Sequence, residues 1–228
     1  MNNLVIAPCG NDSTYIKQWV ENSPNFDLVL LYYGDSVEMA KSYKQFTPHV
    51  YMSRGEKYHL IKSFCNDNIK FIEKYYYIWL PDDDVLIYPN EINKLFNIAD
   101  YYKLWLCQPA MIGHVSHNIT RPVDDSILRY TNFVEVLAPL FNKETFFKLF
   151  NTFDSNYSAW GYDYLWPHLL EYPQDKIAII DEIVINHTKP VGSNYGDRFP
   201  IPPAEEMWTL LNKYNIKKEE IEYSRISK

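Results

Sequence analysis

The sequence has little cysteine, no basic excess and no long apolar run, and each shortage removes a class of protein. Only Cys9, Cys65 and Cys107 occur in 228 residues. An odd count without a Cys-x-x-Cys pair excludes a disulfide framework and a cysteine zinc site, and it reads as reduced thiols of a cytoplasmic protein. The formal net charge is −7, so the chain lacks the basic face that a nucleic-acid polymer needs. No apolar run approaches the roughly 20 residues of a membrane-spanning helix. Met1-Asn2-Asn3 leads straight into Leu4-Val5-Ile6-Ala7 without a signal-peptide pattern, and a soluble protein is expected. The turn after this first strand holds a single glycine, Gly10, not the Gly-x-Gly-x-x-Gly of a dinucleotide-binding fold. No internal repeat or low-complexity tract is present.

What is present is a globular composition, 46% hydrophobic and 22% charged, with an aromatic share of 17% that suits both a core and a ligand-stacking surface. The chain turns on Tyr75-Tyr76-Tyr77-Ile78-Trp79-Leu80-Pro81-Asp82-Asp83-Asp84. The apolar run reads as a buried strand, and Pro81, which has no N–H for a ladder, should end it. The three carboxylates then lie at the carboxyl end of a strand, where open α/β sheets bind ligands. Adjacent acids repel, and a divalent cation with a preference for oxygen, Mg²⁺ or Mn²⁺, relieves that. A solvated acidic loop is the plainer reading.

In chain order, Leu4–Ala7 reads as a strand, Thr14–Val20 as a helix capped by Asp12 or Ser13, and Leu28–Tyr33 as a second strand. This β-α-β unit implies neighbouring parallel strands. Ser36–Phe46 reads as a helix, His49–Met52 as a strand, and Lys57–Lys74 as one long helix with an apolar stripe of Leu60, Ile61, Phe64, Ile69 and Ile72. Pro89 opens another helix. Leu104–Cys107 and Asn132–Leu137 read as strands, separated by a long loop over His114–Arg129. Helices are expected over Lys143–Phe153 and Trp160–Leu170, and strands over Ile177–Ile180 and Ile183–Ile185. A Pro-rich linker, a helix over Ala204–Tyr214 and a charged tail close the chain. The alternation predicts a single α/β domain over residues 1–199, with a mostly parallel central sheet flanked by helices, and residues 200–228 as linker, helix and tail.

The Asp triplet, Phe133-Val134-Glu135-Val136-Leu137-Ala138-Pro139, Trp160-Gly161-Tyr162-Asp163 and the run from Ile179 to Pro190 occur in an order that resembles a family of uncharacterised plant, bacterial and algal-virus proteins. Its fold is like that of GT-A glycosyltransferases. The resemblance spans roughly residues 4 to 195. It implies transfer of a sugar from a nucleotide-diphosphate donor, UDP-linked in the first instance, to a glycan or other hydroxyl acceptor, with Mn²⁺ or Mg²⁺. It also implies roles for particular residues. Asp84 and Asp82 would hold the metal with His187. Asp82 and the middle member Asp83 would also touch the donor. Ala7, Pro8, Cys9, Gly10 and Asp35 would form the base-and-ribose side. Arg54 and Lys57 would contact the donor, Trp160 and Gly161 would line its site, and Asp163 would be the acceptor-side carboxylate. The acceptor would let a soluble protein work beside a membrane.

The chemistry asks for a similar set independently. A diphosphate leaving group needs its charge neutralised, and an inverting transferase needs a base, for which Asp163 and Glu135 are the candidates. Retaining chemistry stays open, as do a non-catalytic binding module and a metal-dependent hydrolase. Each residue also has a structural reading. His187 would be a strand-end ring, Asp163 a helix cap, and Glu135 the partner of Arg129. His114 and His117 would be unconnected loop residues, and Lys217–Glu220 a solvated helix face.

Overall fold

A computed structural model describes residues 2–13, 15–21, 23–190, 192 and 199–228. Thr14, expected to open the first helix, and most of the stretch from 191 to 198 lie outside the described residues.

The first half follows the expected alternation. It comprises β1 (Asn3–Cys9), α1 (Ile16–Trp19), β2 (Phe26–Tyr32), α2 (Val37–Tyr43) and β3 (His49–Met52). The helix expected over Lys57–Lys74 is two: α3 (Lys57–Asp67) and α4 (Ile69–Ile72). Asn68 divides them, because its side-chain amide donates to the Phe64 carbonyl at 2.9 Å and competes with the helical ladder. Then come β4 (Tyr77–Trp79), the two-residue β5 (Val85–Leu86) and α5 (Pro89–Tyr101), with Pro89 at the helix start as its sequence position predicts.

The second half is β6 (Leu106–Gly113), β7 (Ser126–Thr131), β8 (Leu140–Asn142), α6 (Lys143–Leu149), α7 (Tyr162–Leu169), β9 (Ile177–His187), α8 (Pro203–Tyr214) and β10 (Glu222–Ser227). Here the sequence reading needs correction. The supposed loop over His114–Arg129 contains the start of β7. Asn132–Leu137 is not a strand. Its backbone is held by side chains instead of a ladder: Glu135 N–H donates to Gln108 Oε1 (2.5 Å) and Val136 N–H to Asp163 Oδ1 (2.7 Å). The charged tail forms β10, and Lys217–Glu220 belongs to no helix.

The strands form one sheet in the order β10-β7-β9-β6-β8-β4-β1-β2-β3, with β5 paired to β9. The pairings run β1, β2, β3, β4, β6, β9 and β10 one way and β5, β7 and β8 the other. This is the expected α/β domain, with a mixed sheet in which one direction dominates. β1 shows why the sheet lies between two layers. Successive strand residues face opposite sides, so Leu4 and Ile6 join one buried cluster, while Val5, Ala7 and Cys9 join the other. α7 and α8 close the first cluster through Tyr162, Leu165, Trp166, Met207, Leu210 and Leu211. Residues 200–228 thus contribute to both core and sheet.

Candidate functional site

The strands that share a direction end on one edge, and a pocket of about 420 Å³ lies beyond that edge. Its lining comes from chain just past β4 (Asp82, Asp84), past β6 (Ser116, His117), the end of β9 (His187), the start of α3 (Lys57, Tyr58), the 132–139 loop (Glu135, Val136) and the start of α7 (Asp163, Tyr164).

The three aspartates have three different environments. Asp82 accepts from Lys57 Nζ at 2.6 Å, and the same ammonium donates to the carbonyls of Val136 (2.9 Å) and Leu137 (2.8 Å). Burial pushes the Asp82 carboxyl above its ordinary range, against the pull of Lys57. The same burial lowers the Lys57 pKa, opposed by Asp82. Asp83 turns toward the end of β1. Its Oδ2 accepts from the Gly10 N–H (3.1 Å), the Tyr33 hydroxyl (3.1 Å) and, at very short range, the Ser13 hydroxyl. Gly10 is required there, because a Cβ would meet the Tyr33 ring at 2.8 Å.

Asp84 is the incomplete one. Its Oδ1 is buried with no hydrogen-bond partner, and its Oδ2 lies 3.4 Å from His187 Nε2. The register that sets Val85 opposite His187 in the β5–β9 ladder places the two side by side. The other ring nitrogen, Nδ1, lies 2.7 Å from the His114 carbonyl. Burial disfavours the charged His187 ring, but Asp84 and that carbonyl outweigh it and hold the group above its ordinary value.

Across the pocket stand two buried carboxylates. Asp163 lies in the first turn of α7, after Gly161 at φ +95°, a backbone conformation open to glycine. Its Oδ1 accepts from Val136 N–H, which makes it a clamp on the 132–139 loop and not a cap of its own helix. Burial pushes its pKa up to about 6. Glu135 is pushed to about 7 by burial and by the charge of Asp163, and its Oε2 has no hydrogen-bond partner. The pairing of Glu135 with Arg129 does not occur. Arg129 is engaged by Asp181, which accepts from its Nε (2.9 Å) and Nη2 (2.9 Å) in the sheet.

The remaining expected residues divide. Trp160 and Gly161 line the main pocket. Asp35 and Arg54 line a smaller depression of about 230 Å³ with Tyr32 and Ser53. Asp35 accepts from Asn11 Nδ2 at 2.8 Å, which lowers its pKa. Ala7 and Cys9 point into the core and Pro8 is buried on the same strand, so side-chain contact with a donor is excluded for Ala7 and Cys9. Burial raises the Cys9 thiol pKa far above its ordinary value. Among the described residues, no group of three or more His, Cys, Asp and Glu is arranged to hold a metal ion. Asp82 is bound to Lys57, and Asp84 lies beside His187.

Sequence reasoning misses one lining residue of consequence and its partner. Local pattern reads His117 as a loop histidine and Glu220, behind it, as part of a solvated run. They meet at 2.6 Å, His117 Nδ1 to Glu220 Oε1, across 103 residues of chain. No local pattern signals such a pair.

No protein-family model matches this chain, and no curated protein matches its sequence. Solved structures do match its fold. Residues 1–349 of TarS from S. aureus, in complex with UDP-GlcNAc, superpose with a TM-score of 0.59 at 13% identity, over 93% of this chain and 65% of that one. A mannosyltransferase from Pyrobaculum calidifontis, with GDP-Man and Mn²⁺, gives 0.56 at 12% identity over 86% and 59%. GalNAc-T7, with UDP, GalNAc and Mn²⁺, gives 0.64 at 9% identity over 92% and 48%. The chain spans 43% of the full TarS structure. At these identities the likeness establishes the GT-A-like fold.

Proposed function

We propose that the chain is a glycosyltransferase that moves a sugar from a nucleoside-diphosphate donor, UDP-linked in the first instance, to a hydroxyl acceptor. One observation carries this reading. The pocket sets a buried, unpartnered carboxylate oxygen of Asp84 beside His187 on one side, and two buried carboxylates held above their ordinary pKa range on the other. The first arrangement suits a cation that the donor's diphosphate completes, because Mg²⁺ and Mn²⁺ take one or two protein ligands plus phosphate oxygens. Asp84 and His187 would hold it, and Asp82, committed to Lys57, would stay outside. Such a cation would neutralise charge on the departing diphosphate.

The chain's own residues do the rest. Asp83 fixes the carboxyl end of β1 through Gly10 and Ser13, which shapes the donor side. Burial holds both Glu135 and Asp163 above the ordinary carboxylate range. Asp163, steadied by the Val136 N–H, is the group that accepts the proton of the acceptor hydroxyl, with Glu135 beside it. The bound nucleotides of the three transferases of like fold support the donor class.

Thermal unfolding with UDP and GDP, with and without Mn²⁺, tests this reading. A ligand at about 100 times its Kd adds roughly 2.7 kcal/mol, which for a domain of this size is about 5–10 °C. The expected result is a rise with one nucleotide in the presence of metal, abolished with transfer in Asp84→Ala. No rise with either nucleotide, or an Asp84→Ala chain that keeps both metal-dependent binding and transfer, overturns it.

A further inference from the structure

The contact between His117 and Glu220 lies in the wall of the pocket that carries Glu135 and Asp163, and the C-terminal segment builds it. Asn132 brackets that segment from both sides. Its Nδ2 donates to the Glu219 carbonyl (3.0 Å), its Oδ1 accepts from the Ile221 N–H (2.6 Å), and its own N–H donates to the Ile221 carbonyl (3.1 Å). Glu220 between them is therefore fixed in place, and β10 continues the attachment along β7. Glu220 Oε1 meets His117 Nδ1 and also accepts from the Tyr164 hydroxyl at 3.0 Å. The His117 ring lies 4.6 Å from the Phe133 ring and 6.3 Å from that of Tyr164.

Phe133 stands two residues before Glu135, and Tyr164 one after Asp163. The Glu220 carboxylate thus ties the turn after β6 to the start of α7, and the His117 ring it holds packs on Phe133 of the 132–139 loop; the loop and α7 present Glu135 and Asp163. Burial disfavours the charged His117 ring, and Glu220, Asp163 and Glu135 outweigh it and favour that form; Lys218, a second cation, also lines the pocket.

We propose that His117 and Glu220 are a positioning pair that holds the Glu135–Asp163 wall in its working arrangement and sets a positive charge before both carboxylates. The inference rests on the transferase reading above. Glu220 touches no reacting atom. It acts by orienting His117 and Tyr164 and by favouring the charged form of His117 against its burial. The electrostatic sign is definite. His117 lowers the pKa of Glu135 and of Asp163, so its loss raises both.

The test uses the full chain with Glu220→Gln and His117→Gln, chosen at opposite ends of the contact in case one variant fails to fold. Their nucleotide-dependent thermal shift reports the donor side. The expected result in both is a wild-type shift and donor KM and a kcat lower by at least ~10-fold, as an ill-oriented base forfeits part of the roughly 10²–10⁴-fold it supplies; in His117→Gln the acidic limb of the kcat profile also moves to higher pH, since the charged ring lowers the Asp163 pKa. The double variant should be no worse than His117→Gln alone, as for two residues of one unit. A wild-type chain that consumes no donor overturns the transferase reading and this role with it. A wild-type chain that transfers, with both variants matching its kcat and acidic limb, overturns the pair alone. So does a change in donor KM with kcat intact, which would place the pair on the donor side.

Discussion

The two sides of the pocket treat charge differently. On the side proposed for the donor Asp82 has Lys57, and Asp83 has Gly10, Ser13 and Tyr33. On the side proposed for the acceptor Asp163 has the Val136 N–H, Glu135 keeps one oxygen with no partner, and burial holds both above their ordinary pKa range, as it does Asp82. An acid satisfied by the protein shapes a surface. An acid left short of partners costs free energy in the folded state, and such groups cluster where chemistry is done. Asp84 belongs by this criterion with the acceptor side, although it follows directly on two satisfied neighbours.

The largest expected effect separates the two acceptor-side carboxylates. Asp163→Asn should lower kcat by about 10²–10⁴-fold, the range of general-base catalysis. Glu135→Gln should leave kcat within about tenfold and should instead stabilise the fold. A carboxyl whose pKa is higher folded than unfolded binds its proton more tightly in the folded state. Its contribution to stability is therefore lost as pH rises from about 4.5 through about 7. Glu135→Gln should match wild type in urea unfolding at pH 4 and exceed it by up to ~3 kcal/mol at pH 8. Equal losses of kcat in both variants would mean that the pair acts as one unit.

A middle-sized effect tests the link between the sides. Lys57 holds Asp82 and, by two carbonyls, the 132–139 loop. Lys57→Met leaves a carboxylate unpaired, while the Val136 and Leu137 carbonyls keep the Tyr58 hydroxyl and the Asp82 N–H. A deeply buried broken pair costs about 3–5 kcal/mol, but the Asp82 side chain is 35% exposed and partly screened by solvent. About 1–3 kcal/mol is expected in chemical denaturation. The loop that carries Glu135 should loosen as well, so kcat should fall with stability. A loss of stability alone would separate the two sides.

How far the sequence foretold this site depends on the range of the interaction. β3 and the start of α5 sit where local pattern placed them, since alternation, proline and burial act within a few residues. The apolar run into Asp82-Asp83-Asp84 marks the sheet edge beyond which the pocket lies for the same reason. The 132–139 segment was misread because its apolar residues resemble a strand, while the partners of its backbone, Gln108, Asp163 and Lys57, come from three distant places. The tail was misread because β10 is a strand only against β7. The division of work among the three aspartates depends on Lys57, Gly10 and His187, and spacing does not encode which of them each acid meets.

The smallest effect probes the joint from which Asp163 is presented. Gly161 adopts φ +95° immediately before α7, and a Cβ there would lie 3.3 Å from Leu210 and 3.4 Å from Met207 of α8. Gly161→Ala therefore meets both an unfavourable backbone region and a tight contact. The backbone part costs roughly 1–2 kcal/mol. α8 can move by a few tenths of an ångström, so the fold should survive with its urea midpoint lowered by about that free energy. The displacement would reach Asp163 two residues on, while the donor-side aspartates stand on chain that α7 does not carry. A nucleotide-dependent thermal shift that persists beside a reduced kcat would show that the two sides of the pocket are mechanically separate. A shift lost together with kcat would show that they move as one.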